Sequence, residues 1–299
     1  MSVRHVLDID DLEPSELGRV LELAVEEPPQ KVLSGRTVAL VFQKPSARTR
    51  SSSEVAVFQL GGLPVTIRGD EVGIDTREPA EDVCRTLAQY HSLIGARVLD
   101  HQVLTRMAAV SPVPVVNLLS DRAHPLQAVA DLLTLRAHWG ELRGRRLAWV
   151  GDGNNVARSL ALACAMTGVE ICIASPPGHQ LDDLTMDAVT ALGGTATQVV
   201  SPEEAVEGAD AVSTDVWVSM GQEAEAQARL DAFSRFQVDS ALMDRAVPGA
   251  VFLHCLPARR GQEVTREVID GPSSVVWEQA GNRLRAMRGL LLWVFGAGQ

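Results

Sequence analysis

The stretch TVALVFQKPSARTRSSSEV, Thr37 to Val55, decides how the chain is read. Its first six residues, Thr37–Phe42, are almost wholly apolar, with no polar alternation, the pattern of a strand buried on both faces. The twelve residues Lys44 to Val55 then hold three cations and five hydroxyl side chains in a chain whose net charge is −11. From Ser51 the pattern predicts a helix to Leu60, stopped by Gly61-Gly62. In parallel α/β sheets ligands bind beyond the carboxyl ends of the strands, so a loop between strand and helix is where chemistry is expected. Unpaired N–H groups and the dipole at a helix start stabilise an anion. Arg48 and Arg50 add forked, permanently charged donors, and Ser46 and Thr49 add short ones. The competing reading is an N-capped surface helix with basic residues. The phosphate loop GxxxxGK[ST] is absent, so a nucleoside triphosphate is not indicated.

The same alternation continues outward from this stretch. Strands are predicted at Val65–Arg68, Ser92–Leu99 and Val113–Leu118, with helices at Glu78–His91 and Ala128–Trp139. After the connector Gly140–Arg145 a second series begins: a strand at Arg146–Val150, a loop at Gly151–Asn155 and a helix at Val156–Thr167. Strands follow at Val169–Ala174, Ala211–Thr214 and Val251–His254. This order predicts an α/β protein of two domains, each a parallel sheet flanked by helices, with the active site in the cleft between them. The expected domains are residues 1–139, joined by a C-terminal helix at about 280–299, and residues 140–279.

Composition narrows the function classes. A chain of 299 residues with 46% hydrophobic and 22% charged residues is ordinary globular material, and two domains suit its length. An excess of 38 acidic over 27 basic residues argues against general nucleic-acid binding. The N-terminus lacks the apolar core of a signal peptide, and no apolar run reaches the roughly 18 residues of a membrane span. The segment GLLLWVFGAG, Gly289–Gly298, reads instead as the buried face of a terminal helix. Cys84, Cys164, Cys172 and Cys255 show no CxxC spacing, which predicts reduced thiols in a cytoplasm. The first three have apolar neighbours and read as small core residues.

Four further clusters follow strands. In SDRAHPLQAVADLL, His124 precedes the helix-starting Pro125, and Gln127 lies one turn on. A neutral His can donate to a carbonyl oxygen, and a Gln amide can bond an –NH2 group. No second ligand lies at metal spacing, so no metal is expected. VGDGNNVARSLALA, from Val150, resembles a dinucleotide fingerprint, but Val156 takes the third glycine's place. The acidic residue expected after the next strand is absent as well, which disfavours NAD. Asn155 at the helix entry either caps the helix or bonds a ligand. In TDVWVSMGQEAE, Asp215 suits an ammonium group, and in HCLPARRGQEV, Cys255 offers a thiol at a strand end. A Cys–His nucleophile at His254-Cys255 is disfavoured, because neighbours on a strand point to opposite faces.

Taken together and in order, these motifs resemble the aspartate/ornithine carbamoyltransferase family over nearly the whole chain. Ser46-Ala-Arg-Thr-Arg50 is similar to its SxRTR phosphate loop, and His124-Pro-Leu-Gln127 to its HPxQ motif. Asp215-Val-Trp-Val-Ser-Met-Gly221 resembles the DxWxSMG loop of the ornithine branch, and His254-Cys-Leu-Pro257 its HCLP signature. Asn282-Arg283-Leu284 resembles the segment before the final helix.

The resemblance implies transfer of a carbamoyl group from carbamoyl phosphate to the side-chain amine of L-ornithine, giving citrulline and phosphate, without cofactor or metal. On the matching positions it implies that Ser46, Ala47, Arg48 and Thr49 hold the phosphate. Arg97 bridges phosphate and carbonyl oxygen, and His124, Gln127 and Arg283 hold the carbamoyl group. Asn155, Asp215, Ser219 and Met220 bind ornithine, with Cys255 and Leu256 beside its reactive amine. Arg48, Arg97, His124 and Cys255 are the residues it marks as catalytic. It further implies a cytoplasmic homotrimer serving arginine biosynthesis, with sites near subunit interfaces, no nucleic acid and no membrane. The chain departs from the family's pattern at Ala47, where Thr is usual, at Gly73, near which a Gln is usual, and at Ser53, near which an aromatic is usual. It departs also at Leu126, Arg259 and Gly281. Another diamino acid, such as 2,3-diaminopropionate or lysine, stays open as acceptor, as does a catalytically weak binding protein that keeps the fold.

Overall fold

The computed structural model describes residues 3–27, 29–218 and 223–296. The chain divides into two compact units, Met1–Ala130 with Gly281–Gln299, and Asp131–Ala280. Each is built on a wholly parallel sheet.

In the first unit the strands are β1 (Thr37–Phe42), β2 (Leu63–Arg68), β3 (Leu93–Arg97) and β4 (Val115–Leu119), in the order β2-β1-β3-β4. The apolar run of β1 is explained by its interior place: it pairs with β2 on one side and β3 on the other, and Val38–Phe42 are buried. Among the described residues β2 pairs only with β1, and it carries Pro64, which an edge strand tolerates because one side needs no N–H. Ala39, Val41, Ile94, Ala96 and Val115 pack against Val83, Cys84, Leu104 and Met107 to form a core. The terminal helix Val276–Val294 buries Leu290, Leu291 and Leu292. Gly289 lets it approach the helix Pro14–Val25 closely, since a Cβ there would stand 2.5 Å from the Val20 carbonyl oxygen.

The second unit contains β5 (Arg146–Val150), β6 (Glu170–Ala174), β7 (Ala196–Val199), β8 (Ala211–Thr214) and β9 (Val251–His254), in the order β7-β6-β5-β8-β9. The helix Asn155–Thr167 is buried from Val156 to Met166, which accounts for its near-continuous small apolar sequence. Trp217, Phe233, Phe236 and Phe252 belong to the core cluster of this unit.

Each sheet has one topological switch point. The chain passes from β1 outward to β2, then returns to place β3 on the other side of β1; likewise β5, β6 and β7 run one way, and β8 starts the other. The carboxyl ends of β1 and β3, and of β5 and β8, are therefore where parallel sheets open a crevice for ligands.

Several element boundaries differ from the sequence reading by one to four residues, and two helices show why. The helix expected over Ser51–Leu60 runs Ala47–Gln59 and begins four residues before Ser51. Its buried face carries Thr49 and Ser53 as well as Ala56 and Val57, so no apolar period announces its first turn. The helix expected over Glu78–His91 is Ala80–Leu87, begun by Pro79 in an extended conformation. β7 escapes the sequence reading because its ATQV is half-exposed and pairs only with β6. No helix among the described residues is long and apolar enough to cross a membrane.

Candidate active site

At the first switch point three segments converge on one hydroxyl, and a fourth reaches it through Arg283. Ser46 caps the helix Ala47–Gln59, its Oγ accepting from the Thr49 N–H at 3.3 Å. The cap turns Thr49 inward, where it is buried. β3 lies beside β1 with Arg97 opposite Phe42, and this register brings Arg97 to the loop after β1. Arg97 Nη1 donates to Thr49 Oγ1 at 3.4 Å, and Arg283 Nη2 donates to the same oxygen at 3.3 Å. The second nitrogen of Arg283, Nη1, donates to Gln127 Oε1 at 2.6 Å. His124, just before the helix Pro125–Trp139, is buried in the same neighbourhood. Burial, and then the charges of Arg283, Arg97 and Arg48, hold its imidazole well below the ordinary value of 6.5. The ring is thus neutral at physiological pH and can donate from one nitrogen without adding charge.

Ser46, Ala47, Arg48, Thr49, Arg97, His124, Gln127 and Arg283 all lie in the first unit. Arg48 is exposed beside the helix start, and its charge reaches His124. Arg50 does not join it: its Nε donates to Glu54 Oε1 at 2.8 Å, one turn along the helix. Three guanidinium groups and a helix N-terminus at one place repel one another, and an anion with several oxygens offsets that repulsion. The cluster therefore suits an anion with several oxygens, and Ser46 caps the helix as well.

The second switch point has the opposite character. Asp215 follows β8 and is buried. Its Oδ1 accepts from the Val216 N–H at 2.8 Å and from Cys255 Sγ at 3.1 Å. Its Oδ2 accepts from Asn154 Nδ2 at 2.9 Å. Asn154 also caps the helix Asn155–Thr167, its Oδ1 accepting from the N–H groups of Val156 and Ala157 at 2.9 and 3.1 Å. Capping thus falls to Asn154, not to Asn155, which is the first helical residue. The expected Ser219 and Met220 lie outside the described residues.

Behind Cys255 stands a buried pair that the sequence reading does not include. His254 Nδ1 accepts from the Leu256 N–H at 2.9 Å, so the ring proton sits on Nε2, which faces Glu263 Oε1 at 3.1 Å. The same carboxylate oxygen accepts from the Arg259 N–H at 2.6 Å. Leu256 has φ +60, a left-handed conformation that costs a branched side chain of order 1 kcal/mol or more. The His254 bond holds it there. Side chains of His254 and Cys255 point apart, the first to Glu263 and the second to Asp215. Potential ligand atoms of Asp215, His254 and Cys255 lie within 4.8 Å of one another. Both His254 nitrogens are already engaged, however, so the trio does not suit a metal.

The loop after β5 also explains the broken dinucleotide fingerprint. The Gly153 N–H donates to the His179 carbonyl at 2.8 Å, and a Cβ at Gly153 would stand 2.5 Å from the backbone of Gln180 and Leu181. This glycine admits another loop of the protein, where in a nucleotide-binding fold it would admit a pyrophosphate.

A cluster of cationic side chains and a carboxylate–thiol pair each stand at the switch point of a parallel sheet, where α/β proteins bind their ligands. Residues 4–137 match the model of the carbamoyl-P binding domain of aspartate/ornithine carbamoyltransferase, and residues 143–294 match that of the Asp/Orn binding domain. The chain belongs to the aspartate/ornithine carbamoyltransferase family. It is 47% identical over 301 residues to an ornithine carbamoyltransferase of Hyperthermus butylicus, covering 96% of each chain. With an ornithine carbamoyltransferase of Acidothermus cellulolyticus it shares 46% identity, covering 99% of this chain and 97% of the relative. The solved structure of ornithine carbamoyltransferase from Pyrococcus furiosus superposes with a TM-score of 0.94 at 41% identity, covering 100% of this chain and 99% of that one.

Proposed function

We propose that the protein transfers the carbamoyl group of carbamoyl phosphate to the side-chain amine of L-ornithine, giving L-citrulline and phosphate. The observation that carries this reading is the convergence of Arg97 and Arg283 on Thr49 at the start of the helix Ala47–Gln59, with neutral His124 and Arg48 beside them. Relatives named ornithine carbamoyltransferase, similar over nearly the whole chain, support the acceptor.

In this reading Ser46, Arg48, Thr49 and the N–H groups of the helix start hold the phosphate, with Ala47 contributing its backbone N–H. Arg97, His124 and Arg283 donate to the carbonyl oxygen, and Gln127 takes the –NH2 group. The amine nitrogen attacks the carbonyl carbon, and the oxygen gains negative charge as the tetrahedral intermediate forms. Preorganised donors stabilise that charge, each worth about 10²–10³ in rate in comparable sites. The C–O bond to phosphate then breaks, and the leaving phosphate accepts the proton that the nitrogen sheds. An alkylammonium has a pKa of about 10.4 by analogy with lysine, so ornithine must be deprotonated before attack. Asp215 and Cys255 orient the amine, Leu256 lies beside it, and Asn155, Ser219 and Met220 serve the remainder of the amino acid. Alignment of the two substrates supplies much of the remaining acceleration.

The reading extends to a cytoplasmic homotrimer serving arginine biosynthesis. Four free cysteines accord with a reducing compartment. Val55, Phe58 and Leu63 are exposed on the helix Ala47–Gln59 and at the start of the edge strand β2, a surface that a homotrimer would cover.

Phosphate release with carbamoyl phosphate and a panel of diamines tests the function. Ornithine should be the preferred acceptor, with citrulline as product. Turnover of 2,3-diaminopropionate or lysine in its place would reject ornithine, and no amine-dependent release at all would reject the enzyme.

A further inference from the structure

The second unit contains a buried ionic cluster centred on Arg229 and Asp152, outside the residues assigned to the site. Arg229, on the helix Ala226–Phe233, is buried. Its Nε donates to the Trp217 carbonyl at 2.6 Å, its Nη2 donates to Asp152, and its Nη1 lies 3.4 Å from His179 Nδ1. Phe233 covers the cluster: the guanidinium carbon is 5.3 Å from its ring centroid, and the rings of His179 and Trp217 are 4.8 and 6.0 Å away. Asp152 is buried as well, and its carbonyl accepts from Trp149 Nε1 at 2.9 Å. Burial raises the Asp152 carboxyl above its ordinary value, against the opposing charges of Arg229 and His179.

The spacing along the chain gives this cluster its meaning. Arg229 ties residue 152 to residue 217. Two residues inward from each, Asn154 is tied to Asp215. The two cross-links therefore span the same switch point, one outside the other, and the inner one holds Asp215 Oδ2 while Oδ1 accepts from Cys255 and Val216. A buried ion pair contributes little net stability over an apolar replacement, so stability alone is a weak reason for an arginine there. Fixing two loops in one geometry is a task that its planar fork suits.

We propose that Arg229, clamped to Asp152, is a positioning residue that sets the orientation of Asp215 and hence the binding of the amine acceptor. The acceptor half of this statement rests on the proposed function; the Asp215–Cys255 half does not. The experiment therefore has two arms, run on Arg229→Gln, Arg229→Lys and Asp152→Asn, each checked for folding by circular dichroism. The first arm follows alkylation of Cys255 by iodoacetamide against pH, with the site read by mass spectrometry. Cys84, Cys164 and Cys172 are buried, which isolates the signal. A carboxylate that accepts from a thiol favours its protonated form, and His254 is already engaged by Leu256 and Glu263. Loss of the clamp should move the midpoint of the alkylation profile to lower pH in Arg229→Gln and Asp152→Asn, and less in Arg229→Lys. The second arm measures steady-state constants. The KM for ornithine should rise about tenfold or more, the loss expected for one misdirected charge-assisted hydrogen bond, with the KM for carbamoyl phosphate nearly unchanged. Should Arg229→Gln not fold, Asp152→Asn and Arg229→Lys decide the matter. An unchanged alkylation profile in a folded variant overturns the proposal, as does an equal rise in both KM values. Wild-type protein without ornithine turnover would refute the proposed function, while the alkylation arm would still decide the role of Arg229.

Discussion

The two switch points are built on the same topological device and carry opposite chemistry. At the first, side chains from three separate segments meet at Thr49, and the charge is positive. At the second, the contacts of Asp215 come from the loops after β5, β8 and β9, and the focus is a single carboxylate. One end is suited to an anion with several oxygens and to the charge that forms on a carbonyl. The other is suited to one ammonium or amine. The comparison teaches that a parallel sheet supplies a location, and that the residues at the carboxyl ends of two strands decide what is bound there.

The contrast can be broken most severely at the cationic end. Arg97→Ala should lower kcat/KM by about 10³ or more, since a buried guanidinium is removed from both the Thr49 hub and the developing oxyanion. Arg48→Ala should be nearly as damaging, with much of its effect on carbamoyl phosphate binding. Steady-state citrulline formation measures both, and near-normal rates in either variant would contradict the cradle. At the acidic end, Asp215→Asn should raise the ornithine KM about 10–100-fold, the range for hydrogen bonds to charged groups.

How far these residues could be found without coordinates follows from how they are arranged along the chain. Ser46, Arg48 and Thr49 lie together, as do His124 and Gln127, and each set reads directly as anion or amide chemistry. The meeting of Arg97 and Arg283 on Thr49 could not be read, because it depends on β3 pairing with β1 and on a helix more than two hundred residues away. The start of the helix Ala47–Gln59 was hidden for a related reason: its inward face is polar where it serves the site. Asn154 and Asn155 are neighbours of one type, and the extended backbone of Asn154 and the bonds its Oδ1 accepts show which one caps. Glu263 did leave a signal, as the one acidic residue in HCLPARRGQEV. Its role required knowing that the chain after Leu256 turns back on His254.

Smaller effects sharpen the picture. Glu263→Gln keeps an acceptor oxygen for His254 but removes the charge, so a loss of about tenfold in kcat is expected, with binding of carbamoyl phosphate unaffected. His124, with His5 and His91, is held below 6.5, burial being the first cause in each. Below about pH 6.5 the unfolded chain binds protons that these folded side chains refuse, so stability falls as the pH drops through that value. Urea unfolding near neutrality and at about pH 5 should show that fall, and His124→Asn should reduce it. Ala47→Thr restores one hydroxyl at an exposed position and should change kcat/KM least of all; a large loss there would mean that the loop is tighter than its geometry implies.

The division of labour is tested most directly by crossing two variants with two substrates. Carbamoyl phosphate and ornithine constants are measured for Arg48→Ala and Asp215→Asn. Arg48→Ala should weaken carbamoyl phosphate and leave the ornithine constant close to wild type, and Asp215→Asn should do the reverse. If each variant weakens both substrates alike, the two switch points do not bind one substrate each, and the assignment of the site fails.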